Sequence, residues 1–492
     1  MHDLVPYAQS VLALAVAALV AIGSNRVAEL VRIPAPAIFL VVAAVASDVF
    51  PRLGDLGVVT DQRIVTVALV LILFDGGMHI GWGRMRPALG AVVWLGVMGT
   101  LVTAAAVALA AHWAFGFDWR VALIIGAALA PTDPAVVFSV LGRREISGRS
   151  GTLLEGESGA NDPVGIALMI SVLGASGGGW GAVGSGVGHF ALQLAVGGAI
   201  GVAGGWLLLQ LMRRSTLPNP ALYPVQALVV ALALYGVATV AEGSGYLAVF
   251  LAGILIGDER APYKREIEQF AGAGASLAEI VAFVVLGLSV DLGSIVHGDR
   301  LWIALGLAAL LVVVVRPLFV GLTLLPVTLS RGERSFVLFS GLKGAVPILL
   351  GTYVLAEGVS RAHEVYDVIF VVVLFSVVLQ GGFVPLVARL CHVPMRVVEP
   401  EPFALGMRFR DEPEGLRRYV VAADSPADGC SIRDLDVGEN FWVSMVSRHG
   451  RLVQVRGETT LEAGDEVLAL ADDDLRLDHV FLRRADADSA GH

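Results

Sequence analysis

Long apolar runs separated by short polar breaks fill the first 391 residues, and most approach the roughly 20 residues that an α-helix needs to cross a bilayer. The runs fall at about 5–24, 35–50, 63–80, 88–114, 119–141, 157–174, 187–212, 222–241, 245–257, 271–290, 301–326, 335–356 and 364–391, which predicts about thirteen spanning helices. The pattern changes near Pro394, where Pro400, Pro402 and Pro413 punctuate a charged linker before short alternating stretches begin. RRYVVAADS, FWVSMVSRHG, RLVQVRGE and DEVLALADD each read as a strand, with His449-Gly450 and Ala463-Gly464-Asp465 as turn signals. The expected organisation is a transmembrane domain over 1–393, a linker over 394–412, a small α+β domain over 413–484 and a frayed tail over 485–492.

Composition agrees with a polytopic membrane protein: 56% of residues are hydrophobic, only 16% are charged and the mean hydropathy is +0.76. The net charge of −10 argues against nucleic acid as a partner, and much of the acidic excess follows Glu399. Cys391 and Cys430 are too few and too scattered for a disulfide framework or a metal site. The N-terminus has no Lys or Arg before its apolar run, so that run reads as the first spanning helix and not as a cleaved signal.

Basic residues collect in alternate loops, as cytoplasmic loops do. One set carries Arg26 and Arg32, Arg84 and Arg86, Arg143, Arg144 and Arg149, Arg213 and Arg214, Arg260, Lys264 and Arg265, and Arg331 and Arg334. The alternate set holds only Arg52, Arg63, Arg120, Arg300 and Arg361. Thirteen crossings then place the N-terminus outside and the tail in the cytoplasm of a cell bounded by this plasma (inner) membrane.

Polar residues inside the apolar runs are rare enough to weigh singly, because ionisable groups in a bilayer mark substrate, ion or proton pathways. In the fifth run, Pro131 and Pro134 bracket Thr132 and Asp133. Two prolines in four residues should unwind the helix, freeing carbonyls that join Thr132 and Asp133 as candidate ligands of a small cation. In GESGANDP, Glu157 and Asn161 are four apart, as are Ser158 and Asp162, so the second pair points to one spot. An alternative is that these acids sit near a helix N-terminus and complement its dipole. In the twelfth run, Gly341, Gly344 and Pro347 suggest a second broken helix around Lys343, a buried ammonium for which Glu157 is the expected partner. Two interrupted segments in comparable places of two halves point to a midplane site in transporters built from inverted repeats. Arg316 reads as a structural ion-pair or carbonyl partner, Asp75 as closing a helix end, and Glu279 and Gln380 as cavity-lining or backbone-satisfying groups.

APTDP (130–134), ESGAND (157–162), LFDGG (73–77), GLKGAVP (341–347) and VLQGG (378–382) resemble the motifs of monovalent cation/proton antiporters of the sodium/proton exchanger branch, over nearly all of residues 1–391. The tail resembles a TrkA-C (RCK-C) domain, and the combination is most similar to the potassium/proton antiporter subgroup. The resemblance implies a thirteen-helix fold, a homodimer and a core domain that moves past a dimerisation domain. It implies that Asp162 takes either cation or proton, supported by Asn161, Thr132, Asp133 and Ser158, and that Glu157 pairs with a basic residue of the broken twelfth helix. The family commonly has arginine there, where this chain has Lys343. Asn161 replaces the first of two aspartates found in the electrogenic branch.

Proton and metal cation competing for one desolvated carboxylate would exchange one for one, an electroneutral cycle. No cofactor is expected beyond the transported K+ or Na+ and H+, and no enzymatic activity. The tail either binds a regulatory nucleotide, as related modules do, or only dimerises. A Na+(Li+)/H+ antiporter remains the alternative. A channel would need a carbonyl filter such as TVGYG, and an intramembrane aspartyl protease a GxGD signature, and the sequence has neither. A proton-coupled organic-solute transporter is opposed by the family motifs alone.

Overall fold

The structure, a computed structural model, describes residues 23, 34–50, 57–141, 144–146, 149–175, 180–214, 217–258, 263–296, 299–397, 416–435, 437, 441–448, 451–471 and 478–481. The predicted first span therefore lies outside the described residues, apart from Gly23. The chain divides into two compact units, residues 1–399 and 400–492.

In the first unit, α1 (Ala35–Val49) is followed by α2 (Val58–Val93), a π-helical turn (Trp94–Gly99) and α3 (Thr100–Trp113). These 56 residues from Val58 form one apolar run, about 84 Å if straight and far more than one crossing needs. Gly81, at φ 63 and ψ 157, divides it, so the predicted third and fourth spans meet there. Asp75 does not close a helix end as expected, because the helix runs on for six residues to that kink.

Then come α4 (Trp119–Leu129), α5 (Pro134–Leu141), α6 (Arg149–Gly174), α7 (Trp180–Arg214), α8 (Leu222–Val240), α9 (Gly245–Asp258) and α10 (Lys264–Leu288). The Asp118 side chain caps α4 by accepting from the Val121 N–H at 3.1 Å. A short α11 (Leu292–Val296) leads to α12 (Arg300–Leu310), whose apolar run continues through a π-helical stretch (Leu311–Val320) into α13 (Gly321–Thr323). A capping box between Ser330 and Glu333 starts α14 (Arg331–Phe339), which is followed by α15 (Ala345–Ala356). The last run is α16 (Ala362–Phe375), a π turn (Ser376–Gln380) and α17 (Gly381–Leu390). Each expected span after the first coincides with a helix or helix pair. Among the described residues, six helices are long and apolar enough to cross a membrane, or seven if α4 and α5 count as one bent span.

Helices α2 and α9 cross with their backbones nearly touching. A Cβ on Gly77 would lie 2.4 Å from the Phe250 carbonyl oxygen, and one on Gly257 would lie 2.1 Å from that of Met78. Small residues are what permit such close packing in lipid, where helix association relies on contact rather than on expelling water.

A two-stranded ladder joins β1 (Arg144–Ile146), between α5 and α6, to β2 (Met395–Val397), just past the last helix. In the second unit, β3 (Leu416–Val420), β4 (Phe441–Arg448), β5 (Arg451–Val453) and β6 (Glu466–Ala471) form an antiparallel sheet in the order β3-β6-β4-β5. All four expected strands are present. Gly464 makes the expected turn before β6 with φ +91, and the turn signal at 449–450 lies outside the described residues. Arg448 grips the buried Asp465 carboxylate with two bonds of 2.8 Å, and a short helix α18 (Asp478–Phe481) packs Phe481 on Tyr419.

Candidate functional site

Two helices are interrupted at the centre of the first unit. The chain leaves helical geometry between Leu129 and Pro134, with a 41° bend between α4 and α5, and again between Phe339 and Ala345. Pro131 and Pro134 account for the first break, since neither supplies a backbone N–H. The second break is carried by Gly341 and Gly344, while Pro347 lies in the first turn of α15, where a missing N–H costs nothing. The two breaks touch: the Asp133 N–H donates to the Leu342 carbonyl at 2.8 Å.

Lys343 crosses from one break to the other. Its ammonium is fully buried and donates to the carbonyls of Ala130 (3.1 Å) and Pro131 (2.9 Å). Its own N–H donates to Ser376 Oγ, which donates in turn to Gln380 Oε1, and the Gln380 amide donates to the Phe339 carbonyl at 2.6 Å. Gln380 thus satisfies buried backbone.

The expected ion pair between Glu157 and Lys343 is not formed. Glu157, 5% exposed, faces the Arg316 guanidinium at 3.5 Å instead. Arg316 is held by the Leu338 and Val337 carbonyls at 2.8 and 3.2 Å. The geometry favours this exchange of partners. Carbonyls freed by an unwound helix carry only partial charge and suit the compact ammonium, whereas the guanidinium fork bridges carbonyls and a carboxylate together. Gly341 makes room for it, since a Cβ there would lie 1.8 Å from Arg316 Cζ.

From α6, Asn161 and Ser158 clasp Thr132. Asn161 Oδ1 accepts from the Thr132 N–H at 3.2 Å, Asn161 Nδ2 donates to Thr132 Oγ1 at 2.7 Å, and Ser158 Oγ donates to the Thr132 carbonyl. The freed carbonyls expected as cation ligands each already accept one hydrogen bond, those of residues 130 and 131 from Lys343 and that of residue 132 from Ser158. Ser158 and Asp162 do not converge through a contact of their own. Helix α6 begins at Arg149, so Asp162 sits well inside it, roughly three and a half turns from its start. A helix-dipole role for Asp162 falls away, because that field fades within the first turn.

Two carboxylates remain at the crossing. Asp133 Oδ1 accepts from the Ala135 N–H at 2.9 Å, and its Oδ2 lies where a Cβ on Gly344 would be, only 1.9 Å away. Asp162 is half-buried and takes no hydrogen bond from the described residues; Asp133 and Lys343 are the charged groups that act on it. The arrangement is a hydrogen-bonded frame beside Asp162, which takes no hydrogen bond from the described residues and has a second acid and one buried cation near it.

The sodium/hydrogen exchanger transmembrane profile matches residues 14–390. The chain belongs to the sodium/hydrogen exchanger family. The second unit of this exchanger matches the TrkA-C domain over residues 416–476. The K(+)/H(+) antiporter NhaP of Alkalimonas amylolytica is 33% identical over 468 residues, covering 94% of this chain and 81% of that protein. The K(+)/H(+) antiporter NhaP2 of Shewanella sp. (strain MR-4) is 30% identical over 469 residues, covering 93% and 80%. The sodium proton antiporter MjNhaP1 from Methanocaldococcus jannaschii shares the fold, with a TM-score of 0.67 at 20% identity over 78% of this chain and 98% of that one.

Two residues beside the candidate site have partners that the sequence does not signal. Arg316 was placed as a structural partner but not matched to Glu157, because pairing between helices far apart in sequence leaves no local signal. Glu279 of α10, read as a cavity-lining or backbone-satisfying group, lies within electrostatic reach of Asp133. Its only sequence signal is that it is an acid inside an apolar run.

Proposed function

We propose that this protein is a secondary antiporter exchanging a monovalent cation, K+ in preference to Na+, for H+ across the plasma membrane, with Asp162 as the shared site. The supporting observation is that Asp162 takes no hydrogen bond from the described residues and lies beside Asp133 and Lys343 at the crossing. Proton and alkali ion compete for that carboxylate, so binding one releases the other. Asp133 and the Thr132 hydroxyl are the remaining oxygen groups for a cation. Asn161 and Ser158 act by holding Thr132, and Lys343 by holding the unwound Ala130–Pro131 backbone. Preference for K+ follows from the relatives named K(+)/H(+) antiporters and from the TrkA-C tail.

Because Asn161 adds no titrating group, one cation exchanges for one proton and the membrane potential does no work on the cycle. The chain crosses the membrane thirteen times with its N-terminus outside and its tail in the cytoplasm, works as a homodimer, and carries on the tail a site for a regulatory nucleotide. Proteoliposomes loaded with a pH-sensitive dye test this reading. Addition of K+ should collapse an imposed pH gradient more effectively than Na+ or Li+, at a rate unchanged by a valinomycin-clamped potential. A response to an organic solute but to none of the cations would overturn it.

A further inference from the structure

A second polar cavity, of about 250 Å³, lies away from the crossing, at the ends of α2, α10 and α16. Asp61, Ser289, Asp291, Arg300, His363 and Asp367 line it. The segments that reach it, at residues 57–61, 289–294, 300 and 363–367, adjoin the loops poor in basic residues, which face the outside in the topology proposed above.

Its charges are unevenly satisfied. Asp367 is neutralised by Arg300 at 2.7 Å and accepts a second bond from Ser294 Oγ at 3.1 Å. Asp61, only 4% exposed, accepts from Ser289 Oγ at 2.8 Å through Oδ2, but its Oδ1 is buried with no hydrogen-bond partner among the described residues. Buried polar atoms are normally paired, and a carboxylate with one orphaned oxygen in the wall of a roomy polar cavity calls for a bound species. Asp291 at the exposed rim adds a second carboxylate with no cationic partner among the described residues, its Oδ1 accepting from the Ser294 N–H at 3.2 Å.

We propose that this cavity is an outer cation-binding vestibule, in which Asp61 and Asp291 hold a partly hydrated alkali ion before it moves to the crossing. A divalent ion fits poorly. The Arg300 guanidinium already occupies the third carboxylate and repels further positive charge, and the described residues present no group of three His, Cys, Asp or Glu side chains placed to hold a metal. A cavity of this size leaves an alkali ion part of its water shell, which suits a transient station. The vestibule is joined to the crossing by two helices. Thr352 in its wall lies eight residues along α15 from Gly344, roughly 12 Å, and Ser289 lies ten residues from Glu279 at the end of α10, roughly 15 Å.

The inference rests on the cation/proton exchange proposed above, and the tests keep the two apart. In right-side-out vesicles Asp61→Asn should raise the external K+ concentration for half-maximal exchange at least about threefold. In everted vesicles, where K+ meets the other face, the variant should match wild type. Asp291→Asn, at the exposed rim where folding is not at risk, should shift the same curve in the same direction. No shift, or an equal shift from both faces, would overturn the vestibule while leaving exchange at Asp162 untouched. A transport-independent check is equilibrium binding of radioactive Rb+ to the purified Asp162→Asn protein. Binding that persists there and disappears on adding Asp61→Asn supports the vestibule, and binding indifferent to Asp61 overturns it.

Discussion

The pairing of Glu157 with Arg316, and not with Lys343, makes a quantitative prediction. The two charges stand 3.5 Å apart with side chains 7% and 2% exposed. At an effective dielectric of about 20 their attraction is roughly 4–5 kcal/mol, and removing one partner of a buried pair typically costs about 3–5 kcal/mol because the other is left uncompensated. Arg316→Met should therefore destabilise the protein by about that amount, and in addition it abandons the Leu338 and Val337 carbonyls. At about 2 °C per kcal/mol this is a fall of roughly 6–10 °C in the melting temperature of the detergent-purified protein. Combining it with Glu157→Gln should recover part of the loss, and the cycle should yield a coupling of at least about 1–3 kcal/mol. The parallel cycle of Glu157→Gln with Lys343→Met should give a clearly smaller coupling. A larger coupling of Glu157 to Lys343 than to Arg316 would refute the assignment.

Gly344→Ala should abolish or strongly reduce exchange while the protein still assembles in the membrane, since the new methyl would occupy the place of the Asp133 carboxylate. Transport and membrane yield measured side by side check this, and normal transport would show that the position of Asp133 is immaterial. For the tail, the ladder between β1 and β2 sets where a truncation should fall. Ending the chain after Glu399 keeps Met395–Val397 paired with Arg144–Ile146 and should shift the pH dependence of exchange without abolishing it. Ending it before Met395 should reduce the maximal rate as well, because β1 then loses its partner between α5, which follows Asp133, and α6, which carries Asp162. Rates from the two truncations across a pH series decide it.

The spans, the two breaks and the tail strands were legible because each is written locally, in a run of apolar residues, a proline pair, a glycine pair or an alternating stretch. Helix starts were less so. Helix α6 begins at Arg149, before its apolar run, because Glu155 and Glu157 are polar residues that the interior of the protein accommodates. Pairings across the site were least legible. Lys343 and Arg316 are both buried cations beside Glu157, and only the folded geometry distinguishes the one that meets carbonyls from the one that meets the acid. Asp75 misled for a related reason: of the two glycines after it, Gly77 serves close packing against α9, and the break comes at Gly81.

The central claim is that Asp162 is the carboxylate shared by cation and proton. Its most direct test is K+-driven pH change in proteoliposomes carrying Asp162→Asn, which keeps nearly the same size and shape but neither ionises nor binds a proton in this range. No cation-driven pH change from a folded, correctly assembled variant is the predicted result. Exchange retained near the wild-type rate would contradict it and move the site elsewhere in the crossing.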